Sequence, residues 1–359
     1  MKLQRMNNIR KICALFLMLP FFVTGNTVGQ EFNAKEMVLE HIGDSYSWHI
    51  TKWGDKDVFI ALPVIIKSKE SGWHLFLSSR LEHGAGYRGL HIAREGKYAG
   101  KIVERGHTGE EIRPVLDISI TKNVAALLIN CMVVLLVIMP LAGWYRRGTM
   151  KPTKGFKGAI EILLVNIEEV IKECVGEDYK RFSPFLLTVF FFIFVNNLMG
   201  LIPFFPGGAN VTGNIAITMV LALCTFLAVN ISGKKAYWKE IFWPEIPIWL
   251  KAPAPIMPAL EFLGIFTKPF ALMIRLFANM LAGHAVILGL LCLIFISATM
   301  GTVINVGMSA ISIVFTCFMF LLELLVAFLQ AYIFTLLSSV FIGIAVAKHP
   351  EHANKHKLY

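Results

Sequence analysis

The sequence predicts an all-α polytopic membrane protein with five transmembrane spans, preceded by a small β-rich extracytoplasmic domain. Three observations carry that prediction. Of 359 residues, 56% are hydrophobic and only 16% charged, where a soluble domain carries about 25% charged residues. Uninterrupted apolar runs of spanning length recur after residue 120. Before residue 118 the pattern is instead the short alternation of strands. A soluble enzyme is excluded.

The first 30 residues read as a signal peptide. Lys2, Arg5, Arg10 and Lys11 precede an apolar core, Ile12–Val23, and small and polar residues follow. A 12-residue apolar core is short for a span and suits a leader. Residues 31–118 hold 12 Lys and Arg against 13 Asp and Glu, so the formal +10 of the chain does not come from this domain. The positive excess sits in the leader and in short loops beside apolar runs, where it signals orientation rather than nucleic acid. No nucleic-acid partner is expected.

Strands are predicted from Tyr46-x-Trp48-x-Ile50, from Val58–Leu62, Val64–Ile66 and Leu75–Leu77, and from Leu116-x-Ile118-x-Ile120. Gly84-Ala-Gly86-Tyr-Arg-Gly89 matches GxGxxG. It does not stand between a buried strand and a helix, as a dinucleotide site requires, so it reads as a turn. Residues 31–118 are expected to be a periplasmic domain serving assembly or partner contact.

Residues 119–347 form the membrane domain. Val124–Ala142 is the first span, and residues 144–157 carry five positive charges and no acid, which marks a cytoplasmic loop. Ile160, Leu163, Leu164, Ile167, Val170 and Ile171 recur at helical spacing with Glu161, Glu168 and Glu169 between them. That amphipathic helix is expected on the membrane surface or against a partner. Phe185–Phe205 and Val211–Ile231 are the next spans, joined by a charge-free turn and followed by Lys234, Lys235 and Lys239. Two long apolar segments, about 258–296 and 303–347, complete the five, and a basic cytoplasmic tail follows at 348–359. The expected location is a bacterial inner membrane, with the N-terminal domain periplasmic and the C-terminus cytoplasmic. About 39 helical residues reach about 58 Å against a hydrocarbon core of about 30 Å, so the long segments must tilt or break.

Ionisable residues inside these segments are candidate functional groups. Glu261, Lys268 and Arg275 are spaced seven and seven, and fall within about 40° on one helical stripe. Asn279 lies near that face, while His284 points about 180° away. The second segment contributes Glu323 and Gln330, again seven apart. Arg275 is too far from either surface to reach the headgroups, which leaves two readings: a structural ion pair with Glu323, or a functional charge. His284 and Glu323 lie at comparable depth on antiparallel helices. No CxxC pair occurs among six cysteines, and His349, His352 and His356 are interleaved with Glu351, Lys355 and Lys357 as in a solvated tail. No metal and no cofactor is expected.

These residues carry a resemblance. Arg275-Leu-Phe-Ala-Asn-Met-Leu-Ala-Gly283 resembles the signature of subunit a of the membrane sector of bacterial rotary F-type ATP synthases. Leu329-Gln-Ala-Tyr-Ile-Phe334 is similar to that family's second signature, and Asn197-Leu-Met-Gly-Leu-Ile-Pro203 to a third. The resemblance implies two long tilted C-terminal helices against a ring of c subunits, in a complex with subunit b and the soluble ATPase sector. Such a subunit is not catalytic alone. By resemblance Arg275 is the essential charge barrier, with Asn279, His284, Glu323 and Gln330 on the periplasmic proton path and Glu261 on the cytoplasmic one. Many relatives have an acid where His284 stands and a histidine where Glu323 stands, so the pair is interchanged but complete. The alternatives are a Na⁺-translocating version of the same subunit or a stand-alone channel or transporter; no internal repeat supports a transporter.

Overall fold

The computed structural model describes residue 38 and residues 42–53, 56–69, 72–84, 86–93, 96–105, 111–146, 155–202, 207–242 and 256–347. The leader at 1–30 and the tail at 348–359, with its three histidines, lie outside the described residues. The described residues divide into two compact units, 45–120 in the first and 38, 42–44 and 121–347 in the second.

The first unit is built from short antiparallel strands. β1 (Ser47–Trp53) pairs with β2 (Lys56–Ala61), and β3 (Pro63–Lys67) lies between β4 (Trp73–Leu77) and β8 (Leu116–Asp117). β5 (Leu90–Ile92), β6 (Ile102–Arg105) and β7 (Glu111–Ile112) form a third sheet. The alternation is read out directly: Val64 and Ile66 of β3 and Phe76 of β4 are buried, and Tyr46, Leu81, Leu90 and Ile102 close the core around them. The Tyr46 hydroxyl donates to Asp117 Oδ2 at 2.6 Å, which ties the first strand region to the last. Burial, and then the Asp117 carboxylate, push the Tyr46 phenol well above its ordinary pKa. The glycine-rich run forms a turn, as its sequence context predicted: a 3-10 helix covers Ser78–Gly84, and Gly89 takes φ +80° just before β5.

The second unit is helical: α1 (Lys122–Arg146), α2 (Phe156–Val175), α3 (Tyr179–Leu201), α4 (Ile215–Ser232), α5 (Lys235–Phe242), α6 (Ile256–Ala298) and α7 (Thr302–Val346). Five stretches, with α2 and α3 counted together, are long and apolar enough to span a membrane. α4 begins later than the apolar run, because Asn214 caps it: its side chain accepts from the Ala216 amide at 3.0 Å. The amphipathic α2 buries Ile167, Ile171 and Val175 in the helical core of its own chain. Its apolar stripe therefore covers α3 and α7 rather than a membrane surface, and Gly343 of α7 is the point of closest approach, where an added Cβ would collide with the Cys174 carbonyl. A phenylalanine cluster joins α3 to α7, with Phe190 and Phe194 edge-on to Phe328 at 6.2 and 5.8 Å between centroids.

Both C-terminal segments are unbroken helices, of 43 and 45 residues. At 1.5 Å per residue they reach about 65 Å, so within an apolar core of about 30 Å they cannot stand upright. A three-residue turn joins them and they pack antiparallel along their lengths. The Ser297 hydroxyl donates to Asn305 Oδ1 at 2.9 Å near the turn, and Ser312 donates to the Leu290 carbonyl further in. These bonds fix the register in which the site is built.

Candidate functional site

The centre of the site is a further cross-link between these two helices. His284 Nδ1 of α6 stands 3.0 Å from Glu323 Oε1 of α7, and both side chains are withdrawn from solvent. The second imidazole nitrogen, Nε2, lies 2.9 Å from the Gly200 carbonyl at the end of α3. A carbonyl can only accept, so Nε2 carries a proton whenever this bond is made. In the neutral tautomer that leaves Nδ1 unprotonated and facing the carboxyl, able to take a proton from it or through it. The ion-pair contact is oblique: among the described residues neither Glu323 oxygen receives an aligned hydrogen bond.

Small residues make this approach possible. An added Cβ at Gly283 would stand 2.7 Å from Glu323 Oε1 and 2.8 Å from its Cδ, so the carboxylate occupies the space a larger residue would fill. A Cβ at Gly200 would meet the His284 ring at 3.7 Å, an ordinary contact.

Two asparagines hold the surrounding backbone: Asn197, which opens the run similar to the third signature, and Asn210, which no motif marks. Asn197 of α3 donates to the Ala327 carbonyl at 3.1 Å and accepts from Thr212 Oγ1 at 2.7 Å. Asn210, in the turn before α4, donates to the Met280 carbonyl at 3.0 Å and accepts from the Gly213 amide at 2.8 Å. Met280 and Ala327 lie one helical turn from His284 and Glu323 respectively, on the same side of the pair. α3 and the turn after it thus grip both long helices beside the pair. The available signals were the Asn197–Pro203 run and a charge-free turn rich in amides and hydroxyls; neither indicates which carbonyls are gripped.

Arg275 stands apart. It is exposed on α6 among exposed Phe270 and Ile274, and Asn279 is exposed one turn further on. Arg275 forms no ion pair among the described residues; Glu323 faces His284 instead. The structural Arg275–Glu323 pair is therefore not formed. Asn279 shares the Arg275 side and is not brought to the His284–Glu323 pair with which the sequence reading grouped it. Gln330 is buried on α7. From the His284–Glu323 level, Arg275 is nine residues back along α6 and Gln330 seven residues forward along antiparallel α7, so the two stand within about 3 Å of the same depth. Glu261 is half-buried nearer the start of α6. Its charge, after burial, pushes the Tyr237 phenol upward, which places the carboxylate beside α5. A small cavity lined by Asn230, Tyr237, Lys268 and Phe341 opens at this end.

A multi-pass membrane protein with an acid–imidazole pair buried between two long helices, and an arginine turned outward at apolar depth, belongs to the class that moves ions through a membrane in partnership with other subunits. Similarity to known proteins narrows that class. A family model described as ATP synthase A chain matches residues 125–343. ATP synthase subunit a of Chloroherpeton thalassium is 44% identical over 247 residues, 67% of this chain and 70% of that protein. Its counterpart in Myxococcus xanthus is 41% identical over 279 residues, 73% of this chain and 86% of the relative. The chain belongs to the ATP synthase A chain family, whose members are membrane subunits and not catalytic on their own. Residues 37–121 match a separate model, a domain of unknown function (DUF8433).

Proposed function

We propose that this chain is the stator subunit that conducts protons to and from a rotating c-ring, in a complex completed by subunit b and the soluble ATPase sector. The observation that carries the reading is Arg275. An exposed guanidinium at apolar depth costs about 2.5–3.5 kcal/mol on insertion scales, and no group of this chain offsets it among the described residues. A counter-charge from another chain would offset that cost, and the apolar surroundings of Phe270 and Ile274 suit a hydrophobic partner helix bearing a carboxylate.

The chemistry follows from the charge types. A ring carboxylate crosses lipid only when protonated, because desolvation disfavours the charged form. Arg275 cannot deprotonate and so cannot relay the proton. It attracts the ionised carboxylate, forces release before the site passes, and keeps two aqueous half-channels from meeting. Protons enter from the periplasmic side through His284 and Glu323, with Asn279 and Gln330 at the approach to the ring, and leave past Glu261 toward the cytoplasm. With the C-terminus cytoplasmic in a bacterial inner membrane, 100 mV supplies about 2.3 kcal/mol per proton crossing.

The test is ion-driven synthesis in vesicles holding the purified complex. ATP synthesis driven by a proton gradient in sodium-free buffer, abolished by a protonophore, is expected. Synthesis that requires a sodium gradient would replace the proton with Na⁺, and ion flux by this chain without the ring would overturn the stator reading.

A further inference from the structure

The sheet β4-β3-β8 has two unlike faces. One carries Val64, Ile66 and Phe76 into the core of the first unit. On the other, the register aligns Trp73 with Lys67 and Leu116, and Leu75 with Ile65. The last strand continues past Asp117, with amides of Ile118 and Ile120 donating to the carbonyls of Ile65 and Pro63. Leu77 lies opposite Pro63. The face is a grid of three strands and three rows, spanning roughly 10 by 14 Å between backbone positions, and eight of its nine residues are apolar. It is uncovered: Trp73 is 57% exposed, Leu75 75%, Leu77 53% and Ile118 54%. A soluble domain does not ordinarily turn such a face to water.

Chain continuity indicates what covers it. The strand that closes the grid runs to Ile120, and α1 begins at Lys122. α1 is a spanning helix of mean hydropathy 2.8. A tether of a residue or two holds one corner of the apolar grid at the point where the chain enters the bilayer, within about 7 Å. The composition matches that location. Trp73 is the residue type of membrane–water interfaces, and Lys67, whose ammonium lies 5.7 Å from the Trp73 ring centroid, is the one cation of the grid and suits a phosphate headgroup. A protein partner would leave unexplained why the grid ends at the membrane entry.

We propose that the outer face of β4-β3-β8 lies on the phospholipid bilayer, with its leucine and isoleucine side chains at the headgroup–acyl boundary and Lys67 at the phosphates. The first unit is then a membrane-lying domain rather than one free in the aqueous phase. The inference needs only that α1 spans the membrane; it does not depend on which ion is carried.

Site-specific photocrosslinking in the complete complex, in native membranes, tests it. p-Benzoylphenylalanine replaces Leu75 in one variant and Leu116 in another, with Lys97, in the exposed β5–β6 turn, as the control. The expected result is a phospholipid adduct on peptides carrying positions 75 and 116, and none at 97. A protein adduct at 75 and 116 overturns the proposal in favour of a partner subunit or a second copy. Absence of any adduct there overturns it in favour of a water-exposed face. Because both positions are already exposed, folding does not confound the readout, and recovery of ring subunits with each variant confirms assembly.

Discussion

Replacing Gly283 with alanine would test the acid–imidazole pair with a single methyl group. The new Cβ would stand 2.7 Å from Glu323 Oε1, where ordinary contacts begin at 3.4 Å. The carboxylate must retreat by about 0.7 Å, which, directed away from the imidazole, lengthens its 3.0 Å approach to His284 to at most about 3.7 Å. With an effective dielectric of about 20, the attraction between carboxylate and imidazolium falls from about 5.5 to about 4.5 kcal/mol. If this pair gates proton entry, coupled flux falls by about fivefold. Helix propensity works the other way, since alanine is favoured over glycine by about 1 kcal/mol in a helix interior, so a loss cannot be attributed to a weakened α6. The assay is ATP-driven acidification of inverted vesicles, followed with a pH-sensitive dye, with ring copurification as the assembly check. Shortening the acid as well, Gly283→Ala with Glu323→Asp, restores room for the methyl and should recover part of the flux lost in Gly283→Ala alone. Wild-type flux in an assembled Gly283→Ala complex would refute the reasoning.

Other perturbations have equally definite outcomes. The interchange His284→Glu with Glu323→His should retain more proton flux than either single change; a double variant no better than the worse single would show that the two groups do not act as a unit. Asn197→Ala removes the bonds to Ala327 and Thr212; the Ala327 carbonyl keeps its bond within α7, but the buried Thr212 hydroxyl loses its acceptor. Thermal inactivation of the solubilised complex should occur at lower temperature, with a destabilisation of about 1–3 kcal/mol; an unchanged midpoint would contradict the clamp. Tyr46→Phe removes the bond to Asp117 and should cost about 1 kcal/mol, read as faster amide exchange along β3 and β8. Because the Tyr46 pKa is raised in the folded state, its contribution is intact at neutral pH. It declines only as pH rises beyond about 10, where the unfolded chain ionises first; constant exchange across that range would contradict it.

The spans were legible because an apolar run of the right length has few alternatives in a chain this hydrophobic. The pair of His284 and Glu323 was only partly legible: two consecutive helices joined by a short turn must run antiparallel, but His284 lies 14 residues before the end of α6 and Glu323 21 residues after the start of α7, so counting from the turn does not by itself bring them level. The fate of α2 was not legible. Its stripe of Ile167, Ile171 and Val175 would serve equally on a lipid surface, and only the close approach at Gly343 shows that α7 takes the place. Asn279 was grouped with the proton-entry pair through the family likeness, although the four-residue step from Arg275 puts it on the other side of α6, where the structure has it. The asparagine clamps depend on which backbone carbonyls come within reach, and a single sequence contains no record of that. The outer face of β4-β3-β8 was written in the alternation of Trp73, Leu75 and Leu77. Reading it as a surface required the register, which sets Leu116 and Ile118 beside Lys67 and Ile65.

The account rests on Arg275 facing a carboxylate from outside this chain. The direct measurement is proton-driven ATP synthesis and passive proton flux in vesicles carrying Arg275→Ala and Arg275→Lys, with assembly verified by the ring that copurifies. The account predicts an assembled Arg275→Ala complex that makes no ATP and leaks protons faster than wild type, because nothing strips the ring carboxylate before it crosses. Arg275→Lys, which keeps the charge and loses the planar fork, should leak less and still couple poorly. An assembled Arg275→Ala complex that synthesises ATP at the wild-type rate would contradict it.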